Sequence, residues 1–149
     1  MSTLPSEKDI AEFRPDIIVV DDLMHELGSN AALLSWFTKK SHHLNISIIF
    51  IVQNLFFGGK FMRDISLNSQ YIILLKNARD KRQIISLGSQ IYPRNLSYFL
   101  DAYDKATNKP FGYLLIDLST NTPDELRLRT NIVPVNGRLT PIVYHVKTP

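Results

Sequence analysis

The sequence predicts an α/β fold, a mostly parallel sheet flanked by helices. Two observations carry that expectation. Four apolar runs of four to seven residues lack polar alternation, the texture of strands buried on both faces. The segments between several of them show helical periodicity, and strand–helix–strand alternation implies right-handed crossovers in a layered sheet.

In chain order, Pro15 introduces the run Ile17-Ile18-Val19-Val20, which ends at Asp21-Asp22. Gly28-Ser29-Asn30 offers a helix start, and Leu33, Leu34 and Phe37 form an apolar stripe that fades into Lys39-Lys40-Ser41-His42-His43. The second run, Ile46 to Val52, ends at Gln53-Asn54. The connection from Asn54 to Ser69 begins Phe56-Phe57-Gly58-Gly59 and reads as mostly loop. The third run, Tyr71 to Leu75, ends at Lys76-Asn77. Asp80 to Ile91 places Ile84, Ile85 and Leu87 near one helical face, with Gly88 as a weak point, and Asn95 can cap a helix carrying Leu96, Phe99, Leu100 and Tyr103. Tyr113 to Ile116 is the fourth run, ended by Asp117. Beyond it, Pro123, Pro134, Asn136-Gly137 and Pro141 interrupt the pattern, leaving Leu126 to Arg129 as a short edge strand and an irregular tail after residue 134.

Composition narrows the function. The chain has 149 residues, with 17 Lys+Arg against 14 Asp+Glu, a net charge of +3 too small to indicate nucleic-acid binding by itself. Zero cysteines exclude a disulfide scaffold and any thiolate nucleophile or metal site, and fit an intracellular protein. No apolar run approaches the roughly 20 residues of a membrane helix, so no membrane partner is expected.

Three of the runs finish in Asp-Asp, Gln-Asn and Lys-Asn. In an open parallel sheet the ligand crevice lies at the carboxyl ends of the strands. Polar residues also end strands simply because they reach the surface. Ile17 to Asp22 has the form of a Walker B element, in which the first carboxylate, Asp21, holds magnesium and the second, Asp22, polarises the attacking water. The same pair also reads as a strand-to-turn motif, and Glu26 is a spare acid. Gln53 or Asn54 can hydrogen-bond a γ-phosphate and the lytic water, or cap the loop that follows. Arg79 and Arg82 can reach a neighbouring subunit's nucleotide, or belong to a solvated cationic helix start. His42-His43 lacks partners at ligand spacing and reads as a surface helix end.

The stretches Pro15 to Met24, Thr38 to His43, Asn45 to Ser47, Val52 to Phe56, Ile65 to Asn68, Lys76 to Lys81 and Phe111 to Asp117 resemble the genome-packaging ATPases of the FtsK–HerA superfamily, in their poxvirus-, adintovirus- and polinton-like branch. The resemblance spans residues 15 to 131. It implies a RecA-like ASCE core over residues 15–133, behind a lead-in at 1–14 and ahead of a tail at 134–149. It also implies a homo-oligomeric ring that moves double-stranded DNA into a capsid, in an infected cell's nucleus or cytoplasm or within the virion. Mg2+ and ATP are the implied cofactors. Asp21 would bind the metal, Asp22 would be the catalytic acid, Gln53 the sensor, and Arg82 or Arg79 the arginine finger. DNA contacts would come from the Phe56–Lys60 loop, with Lys60 and Arg63 as its cations; the same loop can instead tuck its phenylalanines into the core.

One element of that family is missing. A phosphate loop needs G-x-x-x-x-G-K followed by Ser or Thr, yet of the six glycines only Gly59 precedes a lysine, and Phe61 follows it. The strand and helix expected ahead of Asp16 are missing as well. The expectation is therefore the C-terminal portion of a packaging ATPase, inactive alone. The rival is a degenerate ATPase-like module that binds capsid or DNA-bound partners, and a metal-dependent nuclease stands behind both.

Overall fold

A computed structural model describes residues 5–21, 35, 41–56, 60–134 and 136–146. The chain divides into two compact units, Met1–Asn68 and Ser69–Pro149.

The first unit is built on a two-stranded parallel sheet. Helix α1 (Glu7–Phe13) opens on a capping box: the Ser6 amide and hydroxyl donate to Asp9 Oδ2 at 2.7 Å, and the Asp9 amide donates to Ser6 Oγ at 3.2 Å. Strand β1 (Ile17–Asp21) pairs in parallel with β2 (Ser47–Ile51), and a short helix α2 (Ser41–Leu44) leads into the second strand. Helix α3 (Lys60–Asn68) then lays Met62 and Ile65 against Val20, with Ile18, Ile48, Phe50 and Val52 around them. Ile10 of α1 meets Ile46, Ile18 and Ile48. Both helices therefore pack on inward-facing side chains of the strands. Ile17, Val19, Ile49 and Ile51 alternate with those side chains and are exposed.

The second unit is antiparallel. Strand β3 (Tyr71–Leu75) pairs with β4 (Tyr113–Asp117), β4 with β5 (Leu128–Thr130), and β5 with β6 (Ile142–Val143). Between β3 and β4 run α4 (Lys81–Ile91) and α5 (Leu96–Thr107), which pack on each other, with α5 against β4. Phe99, Leu114, Ile116 and Leu128 are wholly buried, and Ala102, Tyr103 and Ala106 nearly so. Gly88 is where α4 and α5 approach: a Cβ there would lie 2.4 Å from Phe99 Cδ1.

The mostly parallel, RecA-like sheet is thus not what the chain forms; one parallel pair and a separate four-stranded antiparallel sheet replace it. The apolar runs misled because apolar residues on both faces do not establish burial on both. β1, β2 and β3 alternate between covered and exposed side chains, whereas β4, which has neighbours on both edges, is covered throughout apart from half-buried Tyr113. The Asn54–Ser69 connection holds a helix, since Met62 and Ile65 repeat at helical spacing. The Leu126–Arg129 segment is no edge strand: a 3₁₀ turn (Asp124–Leu126) precedes β5, which has partners on both sides. The tail is stitched to the sheet through β6, with the Tyr144 amide donating to the Leu128 carbonyl at 2.9 Å and the Tyr98 hydroxyl to the Tyr144 carbonyl at 2.6 Å. The helix expected from Leu33 to Phe37 lies outside the described residues, Ser35 excepted.

Candidate functional site

In the first unit the parallel register brings two of the expected site residues to one end. Asp21 closes β1 opposite Ile51, the last residue of β2, and Gln53 follows two residues later. A parallel pair sends both chains out of the sheet at the same end, so the chain runs on to Gln53 from the end of the sheet that Asp21 closes. Both are exposed, and among the described residues the Asp21 carboxylate takes part in no side-chain hydrogen bond or ion pair, which leaves its oxygens open to solvent. Asn54 is differently engaged: its Oδ1 accepts the Phe56 amide at 2.9 Å, an Asx turn that shapes the following loop. Asp22, Glu26, Phe57, Gly58 and Gly59 lie outside the described residues. Lys60 and Arg63 sit in the first two turns of α3, and Arg63 is exposed.

Arg79 and Arg82 belong to the second unit, Arg79 on the turn between β3 and α4 and Arg82 in the first turn of α4. Tyr103 of α5 anchors that turn: its hydroxyl accepts the Asn77 amide at 2.8 Å and donates to the Leu75 carbonyl at 3.1 Å. Asn77 Oδ1 then accepts the amides of Arg79 at 3.0 Å and Asp80 at 2.9 Å. Asp80 caps α4, accepting the Arg82 amide at 3.0 Å and Gln83 Nε2 at 3.1 Å. This carboxylate offsets the opposition between the helix dipole and the cations beside it. The backbone is held at each step while the side chains of Lys76, Arg79, Lys81 and Arg82 extend into solvent, none in an ion pair among the described residues.

The strand ends do not share one edge in the second unit. β4 runs antiparallel to β3, so Asp117 lies opposite Tyr71, at the far end of the sheet from Lys76 and Asn77. Asp117 heads the densest polar cluster described. Its Oδ1 accepts the Ser119 amide at 3.0 Å and hydroxyl at 2.7 Å, and its Oδ2 accepts Thr122 Oγ1 at 2.9 Å and a close bond from Arg129. Burial alone would raise its pKa, but the Ser119 and Thr122 hydrogen bonds and the Arg129 guanidinium outweigh it and hold the carboxyl below its ordinary value. With both oxygens occupied, Asp117 is a structural acid. In the sequence it showed only as the end of a run; Ser119-Thr120-Asn121-Thr122 after it was the available signal.

A recess of about 690 Å³ lies in the second unit against Tyr92, Asn95, Tyr98, Arg127 and His145. The Tyr92 hydroxyl is buried without a hydrogen-bond partner, and burial followed by the neighbouring Tyr98 pushes its pKa up to about 12. Among the described residues no three His, Asp or Glu side chains form a metal-holding group, and no helix is long and apolar enough to cross a membrane. Asp21 is a described carboxylate that could hold a hydrated magnesium, and the sequence contains no G-x-x-x-x-G-K followed by Ser or Thr. Compared with known protein families, curated proteins and solved structures, the chain matches none.

Proposed function

We propose that this chain is a portion of a DNA-translocating ATPase, one that contributes the acid-and-amide side of a nucleotide site and needs a phosphate loop supplied from outside it. The observation that carries the reading is the β1–β2 register, which presents Asp21 and Gln53 together, open and at one end of a parallel pair. Asp21 would meet Mg2+ of a bound ATP through water, Asp22 would polarise the attacking water, and Gln53 would report the γ-phosphate. Arg79, exposed on a braced turn, and Arg82, exposed in the first turn of α4, would serve a neighbouring subunit's nucleotide in a homo-oligomeric ring around double-stranded DNA. The motif order along residues 15–131, similar to viral genome-packaging ATPases, supports the same reading, and capsid proteins are the corresponding partners.

A second reading has an observation of its own. The exposed row Ile17, Val19, Ile49 and Ile51 is a strand face without cover among the described residues of the first unit, as expected of a module that docks on a partner. One experiment separates the two. The chain alone should hydrolyse ATP at background; mixed with a segment bearing a strand, phosphate loop and helix from a packaging ATPase, it should turn over with stimulation by duplex DNA. Turnover by the chain alone overturns the requirement for an outside phosphate loop; none in the mixture although the two segments bind overturns the ATPase reading and favours the docking module.

A further inference from the structure

Among the described residues, the most exposed large apolar side chain sits on the turn from α5 to β4. Phe111 is 98% exposed, and its φ of 58° lies in the left-handed region that a bulky residue rarely occupies. The Gly112 amide donates to the Lys109 carbonyl at 3.0 Å, closing a turn with Pro110 second and Phe111 third. That is the arrangement of a type II turn, whose third position ordinarily takes glycine. Gly112 is itself fixed, because a Cβ there would lie 2.4 Å from the Ala106 carbonyl oxygen. An exposed ring buries no apolar surface, so nothing in the fold rewards Phe111 for its strained backbone. Strain of this kind collects at functional positions.

The surroundings point to the ligand. Leu75, Lys76, Asn108, Lys109, Pro110 and Phe111 line an open recess of about 380 Å³ that carries two lysines and no acid. Lys109 Nζ donates to Asn131 Oδ1 at 2.9 Å, which restrains one ammonium. Lys76 leads into the Asn77-braced turn that carries Arg79. A bare aromatic face beside uncompensated cations complements a ligand that combines flat rings with phosphates.

We infer that Phe111, Lys76 and Lys109 form a contact for single-stranded nucleic acid, the ring stacking on an unpaired base and the lysines meeting adjacent phosphates. A duplex hides its base faces except at its ends, so the contact selects unpaired strand. It goes beyond the proposed ATPase role, which concerns duplex DNA and a nucleotide met by Asp21, Asp22, Gln53, Arg79 and Arg82, and it is tested without nucleotide at other residues, so either can fail alone.

The test is a fluorescence-anisotropy titration of the full chain with labelled oligodeoxythymidine, oligouridine and a blunt-ended duplex. Phe111→Ala should weaken binding to the preferred single strand about tenfold, with Phe111→Trp close to wild type. Lys76→Gln and Lys109→Gln should each reduce the slope of log affinity against log salt by about 0.7. The better-bound oligonucleotide identifies DNA or RNA as the source of the strand. Phe111→Gly relieves the turn, so it should melt no lower than wild type while binding as poorly as Phe111→Ala. The inference is overturned if wild type binds neither single strand, the result a protein-docking surface would give. Phe111→Ala binding within about twofold of wild type, or weakening duplex binding equally, also overturns it.

Discussion

Tyr103 and Asn77 are joined by a hydrogen bond of 2.8 Å, from the Asn77 amide to the Tyr103 hydroxyl, and the same hydroxyl donates to the Leu75 carbonyl at 3.1 Å. One nearly buried phenol on α5 therefore closes both backbone groups where β3 stops, and the cationic turn hangs from that closure.

Tyr103→Phe keeps the ring and removes both bonds, leaving an amide and a carbonyl unsatisfied in a part-buried site. Denaturant unfolding should show a loss of about 2 kcal/mol. Amide exchange at Arg79 and Asp80 should quicken, because Asn77 loses its anchor. Unchanged exchange at those two residues would mean the turn is held by other contacts.

Gly88 sets two effects against each other. Alanine in a helix interior is favoured over glycine by about 1 kcal/mol. Here the added methyl would lie 2.4 Å and 2.8 Å from Phe99 ring carbons and 2.9 Å from Leu96 Cδ1, and Phe99 is wholly buried with little room to yield. Overpacking should win, with Gly88→Ala net destabilising by about 1–2 kcal/mol in thermal or chemical denaturation.

Asp117 should appear in the acid limb of stability. Its carboxyl titrates below the ordinary 3.8 in the folded chain, so between the two values the unfolded state binds the extra proton. Its contribution is complete above the ordinary value and is lost as pH falls through the folded one. Asp117→Ala also strands Arg129, whose Nε is already buried without a partner, and should cost about 3 kcal/mol at neutral pH. The variant's stability should fall less steeply than wild type below about pH 4, a comparison that denaturation across pH makes directly.

Local elements were legible where a residue's chemistry acts over a few positions. Asp80 at the head of α4 and the apolar spacing of Ile84 and Leu87 marked that helix, and Asn95 with Phe99 and Tyr103 marked α5. The capping box Ser6–Asp9 was equally local and was passed over with the lead-in. Strand direction was not legible, because it depends on which edges pair at long range. Tyr71 meeting Asp117 antiparallel separates strand ends that a parallel sheet would have gathered. Of the candidate site, Asp21 and Gln53 share an end because their strands do run in parallel. The exposure of Phe111 is not legible, because Pro-Phe-Gly carries a turn signal but no sign of which side chain stays uncovered.

If Asp21 holds the metal and Asp22 the attacking water, the Mg2+ dependence of ATP hydrolysis by the chain mixed with a phosphate-loop segment must respond to each. Asp21→Asn should raise the Mg2+ concentration for half-maximal turnover about tenfold or more, the usual consequence of weakening one metal contact by about 1.4 kcal/mol. Asp22→Asn should remove turnover while leaving Mg2+-dependent nucleotide binding in place. A Mg2+ curve that Asp21→Asn leaves unmoved, alongside full turnover in Asp22→Asn, would contradict the account.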